Sequence, residues 1–140
     1  MFRRIVCLFA IVLILGPAAA FAQNANKEKA AVASAEKWLG LVDQGDYAES
    51  WKEAAAYLRK GMTEQKWVHI LEDFRAPLGK MIARTQGDAV SRTSLQGAPN
   101  GEYVLMHFYT SFAKNKAAIE TVISILDKDG KWRVAAYFCP

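Results

Sequence analysis

Apolar residues change their spacing once along this chain, at Pro77-Leu78-Gly79. Before that point they recur every three or four residues, the period of a helix with one buried face; after it they alternate, the period of a strand. Ala31, Ala35, Trp38, Leu39 and Val42 make the first helical stripe, and Gly45 follows it, where a left-handed cap costs least. Asp46 stands at the next N-cap with Glu49 three residues on, close to a capping box. The second helix is expected to run to about Arg59, with Tyr47, Trp51, Ala54, Ala55 and Leu58 on its apolar face and Gly61 at its end. Thr63 caps a third, carrying Trp67, Ile70, Leu71 and Phe74, which Pro77 and Gly79 stop.

Strands are expected at Lys80–Thr85, Ala89–Leu95, Glu102–Phe112, Ile119–Asp127 and Lys131–Cys139. Gly87-Asp88, the run Gly97-Ala98-Pro99-Asn100-Gly101 and Asp127-Lys128-Asp129-Gly130 supply turn signals between them. Helices first and strands after imply an α+β fold: about three N-terminal helices packed on a curved antiparallel sheet of four to five strands.

The N-terminus reads as an export signal. Arg3 and Arg4 form a positive start, Ile5–Leu15 is an uncharged apolar run, and Ala20-Phe21-Ala22 is a small-x-small cleavage site. The run is too short to cross a bilayer as a helix. Residues 1–22 are thus expected to be a signal peptide cleaved after Ala22, residues 23–30 a flexible polar tail, and residues 31–140 a single domain. Cys7 lies inside the apolar run rather than after it, which argues against a lipoprotein anchor. Loss of Arg3 and Arg4 lowers the formal charge from +4 to +2, and no basic run remains to suggest nucleic acid as a partner. Cys139 is then the only cysteine, so no internal disulfide is expected; it is either buried as a small hydrophobe or available to cross-link two chains.

The element order is similar to the cystatin-like and nuclear-transport-factor-2-like cone folds. Several stretches resemble more closely the bacterial family called domain of unknown function 4019: WLGLVDQGDYAESW (Trp38 to Trp51), FRAPLGKMIAR (Phe74 to Arg84), LQGAPNGEYV (Leu95 to Val104), TSFA (Thr110 to Ala113) and DGKWRVAAYF (Asp129 to Phe138). The resemblance covers nearly all of the chain after the signal. It implies a small secreted or membrane-attached domain and carries no activity or catalytic residues.

In DQGDYAESW, helix capping and core packing account for every residue except Asp43, an acid in the last turn of a helix, where the macrodipole disfavours it. On the strand Glu102–Phe112 the even positions Val104, Met106, Phe108 and Phe112 form a core face. The odd positions Tyr103, Leu105, His107, Tyr109 and Ser111 form an aromatic, hydrogen-bonding face. If Arg133 and Tyr137 of the last strand share it, then Tyr103, His107, Tyr109, Arg133 and Tyr137 converge on one ligand-binding face. His107 and Tyr109 are the only catalytic candidates, with His107 as base and a tyrosine as acid. Arg75 and Arg84 either fix a carboxylate ligand or support the helix exit and pair across strands. Asp127 and Asp129 lack the further ligands of a calcium loop and are expected to make only a hairpin. His69 and His107 are the only histidines, so no metal site is expected; no cofactor is expected either, since no Gly-rich phosphate loop or nucleophile elbow is present.

The sequence therefore favours a non-enzymatic binding or interaction module of the cell envelope, most readily periplasmic, whose partner is a small molecule or an envelope protein. One alternative is a small-molecule isomerase or dehydratase using His107 and a tyrosine. The other is a structural homodimer joined through the sheet face or Cys139.

Overall fold

The computed structural model describes residues 17–140; the Arg3-Arg4 start and the apolar run of the expected signal lie outside the described residues. The fold is α+β, with helices preceding a four-stranded antiparallel meander of order β1-β2-β3-β4. The helices are α1 (Pro17–Asp43), α2 (Tyr47–Lys52), α3 (Ala56–Gly61) and α4 (Glu64–Arg75), with a 3-10 turn at Ala76–Leu78. The strands are β1 (Met81–Arg92), β2 (Tyr103–Phe112), β3 (Asn115–Leu126) and β4 (Trp132–Phe138).

The stripe read from the sequence of α1 is the buried one: Ala31, Ala35, Trp38, Leu39 and Val42 are all inside. The helix also runs through Gln23–Ala30, where a polar tail was expected. Lys27 bonds Glu102 at 2.6 Å, and Glu28 accepts from the Ser91 amide at 2.9 Å, so two polar residues of that stretch meet the sheet. Gly45, at φ +80°, closes α1 in a Schellman arrangement, with the Asp46 amide on the Leu41 carbonyl and the Gly45 amide on that of Val42. Asp46 occupies the N-cap of α2, but its side chain makes no cap bond and Glu49 pairs with Lys52 instead, so the expected capping box does not form.

The expected second helix is two helices. Ala54 and Ala55 are fully buried, and the Ala55 amide donates to the Val134 carbonyl at 2.8 Å. An amide taken by the sheet is lost to the helical ladder, so α2 ends and α3 restarts at Ala56. Thr63 caps α4 as expected, accepting from the Lys66 amide.

The two strands expected on either side of Gly87-Asp88 are one strand. Gln86 pairs with Phe108 and Ala89 with Met106, so three steps on β1 span two on β2. The glycine signal marks a bulge opposite His107, not a turn. A Cβ at Gly87 would lie 2.8 Å from the Tyr109 ring and 3.1 Å from the His107 carbonyl oxygen, which explains the glycine.

Candidate functional site

Two features on the helix-facing side of the sheet share one residue, Tyr137. The first is a buried ionic network. Glu120, on β3, is fully buried yet accepts from four side chains. Arg84 reaches it at 2.6 Å through Nε and 3.1 Å through Nη2, Thr110 at 2.5 Å and Arg75 at 3.3 Å, and the Tyr137 hydroxyl also donates to it. Asp43 completes the set, holding Arg84 at 2.6 and 2.9 Å and Arg75 at 2.9 Å. Arg75 also stacks on Phe112, its guanidinium carbon 4.5 Å from the ring centroid.

Two acids thus face two arginines, and each charge removed from water has an opposite partner and hydrogen bonds, the condition under which buried charge is tolerated. Burial pulls the pKa of Arg84 down, but its bonds to Asp43 and Glu120 outweigh burial and raise it. Arg75 is raised as well, against burial, by Tyr137, Asp43 and Glu120. The Tyr137 hydroxyl is held far above its ordinary range, first by burial and then by the Glu120 charge, so it stays protonated and donates.

The network explains Asp43. Its position at the end of α1 is unfavourable to an acid, but it brings the carboxylate against Arg75 and Arg84, 32 and 41 positions away in sequence. The arginines of FRAPLGKMIAR hold the chain's own carboxylates and are therefore occupied.

The second feature is an apolar groove of about 1060 Å³ between α3, α4 and β4. Its lining includes Leu58 of α3 and Met62 just after it, Trp67 and Phe74 of α4, and Tyr137 and Phe138 of β4. Trp67 is fixed by its indole N–H on the Ser50 hydroxyl at 2.9 Å, and Tyr137 stacks edge-on against Trp38 with centroids 5.5 Å apart. The hydroxyl of Tyr137 is anchored in the network while Tyr137 lines the groove, so the network fixes the position of that wall.

The five residues expected to converge do not share a face. Ser124 pairs with Val134 and Ile123 with Ala136, so Ala135 is an extra residue in β4. That bulge reverses the alternation: Arg133 precedes it on the outer side, while Tyr137 follows it on the helix-facing side, buried with Val134. Arg133 pairs with Asp127 at 3.0 Å and Asp129 at 2.7 Å; its hydrogen bond holds the Asp129 carboxyl at about 2. Tyr103 is buried, with its hydroxyl on the Pro99 carbonyl at 2.5 Å. Tyr109 is exposed. His107 Nδ1 lies 2.7 Å from Asp88 Oδ1 at the surface, and that hydrogen bond lowers the Asp88 pKa. His107 and Tyr109 remain neighbours on the outer face, and neither lines the groove.

Cys139 is a half-buried free thiol lining the groove. Burial and then the Glu120 charge push it up to about 11. No metal-binding cluster of three or more His, Cys, Asp or Glu occurs among the described residues. Nor is any described helix long and apolar enough to cross a membrane.

Sequence reasoning missed Glu120. A glutamate in a strand at a core-parity position, between Ala118 and Val122, was the available signal.

No curated protein matches the chain. A family model described as "Protein of unknown function (DUF4019)" matches residues 34–137, a span that includes every member of the network. The chain belongs to the DUF4019 family.

Proposed function

We propose that this protein is a non-enzymatic binding module of the cell envelope and that its binding element is the apolar groove beside β4. The observation that carries this reading is a groove of about 1060 Å³ whose wall, Tyr137, is fixed from behind through its hydroxyl by two buried polar partners, Glu120 and Arg75, rather than left to collapse. Grooves of this size with apolar walls and few polar groups are the usual form of a ligand site. A dansyl-labelled fatty acid tests it. The purified protein should bind the probe with a rise in dansyl emission, and Ile70→Asp, a charge placed in the groove at a half-buried position, should weaken binding at least tenfold. Equal binding by that variant would remove the groove from the account.

Export is supported by the N-terminal pattern, and by the exposure of every residue of α1 from Pro17 to Ala22, so that cleavage after Ala22 removes no buried side chain among the described residues. N-terminal sequencing of the protein from its envelope fraction should begin at Gln23; a start at Met1 would contradict export. The unbroken meander with helices on one face supports placing the chain among cone folds of the cystatin-like or nuclear-transport-factor-2-like type.

Self-association has its own supporting observation. Tyr109, Ile119 and Phe138 are exposed apolar residues of the sheet, 46–56% accessible. Sedimentation of the wild type and of Tyr109→Ser/Ile119→Ser tests it: a dimer lost in the variant supports this second reading, and a wild-type monomer removes it. The enzyme reading needs His107 inside an enclosed cavity; its position on the outer face, outside the groove, gives that reading no support.

A further inference from the structure

β4 is an edge strand, and its edge is closed along only half its length. The Trp132 carbonyl accepts from the Ser34 hydroxyl at 2.6 Å and the Val134 carbonyl from the Ala55 amide at 2.8 Å, so α1 and the start of α3 cover the first half. Along a strand, side-chain face and hydrogen-bonding direction alternate together. Val134 pairs with Ser124 and Tyr137 with Val122, two positions apart on β3, so across the bulge at Ala135 the N–H and C=O of Tyr137 again face the outer edge, as those of Val134 do. That edge opens into the groove. The lining includes Trp67 and Tyr137 from the helix-facing side and Thr121 and Phe138 from the other, a combination that only the rim of a sheet can bring together. Among the described residues Lys60 is the one charged side chain in the lining, with no acidic side chain there.

We propose that the open half of the β4 edge accepts an extended segment of a partner protein as a fifth strand, its alternate apolar side chains filling the groove and an acidic residue facing Lys60. An apolar ligand alone fills the groove and leaves the Tyr137 backbone to water; an extended peptide meets both the groove and the backbone, the recognition mode in which main-chain bonds give affinity and side-chain pockets give specificity. Lys60 favours an acidic residue at the matching position of that segment. This inference rests on the groove being the binding element.

The test is a random peptide library displayed on phage and panned against the purified protein, with the dansyl fatty acid as competitor. Enriched peptides should alternate apolar residues, carry an acid, and be displaced by the probe. N-methylation of alternate amides should weaken them at least tenfold, Lys60→Glu should weaken them severalfold without changing the fold, and hydrogen exchange at the Tyr137 amide should slow at least tenfold on binding. Peptides that tolerate N-methylation at every position, or a probe that binds while no peptide is enriched, would overturn strand pairing and leave the groove reading intact. Failure of both probe and peptides would remove the groove itself.

Discussion

The two faces of one sheet carry the same kinds of polar residue to opposite ends. On the helix-facing side, Glu120 is sealed among Arg75, Arg84, Thr110 and Tyr137. On the other, His107 meets Asp88 where the aspartate is 57% exposed. Inside, an unpaired charge has no water to turn to, so each member depends on the others. Outside, water replaces a lost partner at little cost. The contrast assigns structural weight to the inner set and leaves the outer pair dispensable for folding.

The strongest attempt to break this contrast is Glu120→Ala, which leaves Arg75 and Arg84 to share the single carboxylate of Asp43. It should cost about 3–5 kcal/mol in urea denaturation; a loss no larger than that of a surface substitution would refute the network's role. Tyr137→Phe keeps the ring against Trp38 and Phe74 and removes only the hydroxyl. It should cost about 1.5–3 kcal/mol, the range for a hydrogen bond to a charged group, and, with that wall of the groove no longer anchored, the dansyl fatty acid should bind more weakly than to the wild type. Gly87→Ala presses a methyl against Tyr109 and the fixed His107 carbonyl; the expected loss is about 1–2 kcal/mol, and adding Tyr109→Ala should recover part of it. Smallest of all, His107→Ala and Asp88→Asn should leave the denaturation midpoint nearly unmoved.

Cys139 sharpens the same comparison through pH. Its pKa is raised to about 11 from an ordinary value of 9.0, so the folded state holds the thiol proton more tightly than the unfolded chain. That contribution to stability is complete below the unfolded value and is lost as pH rises towards the folded one. At pH near 9 the native thiol should alkylate roughly fifty-fold more slowly than the unfolded one, since only the thiolate reacts. Equal rates would show the thiol to be outside the sheltered side.

What the sequence displayed was local. The stripe of α1 and the even positions of β2 obey an unbroken period, and all of them are buried. Where an extra residue enters, periodicity misleads. The Gly87-Asp88 bulge imitates a turn, and the bulge at Ala135 moves Tyr137 off the face of Arg133. The network could not be read at all by period, because its partners stand 10 to 62 positions apart and only the closed fold brings them together. Asp43 was visible as an anomaly, since it opposes the helix dipole, but its partners were not.

The groove and the outer face make rival predictions in a single measurement: amide NMR of isotope-labelled protein titrated with the dansyl fatty acid. The account predicts shifts concentrated at Leu58, Tyr137 and Phe138, with His107 and Tyr109 unmoved. Shifts centred on His107 and Tyr109, or none at saturating probe, would contradict it.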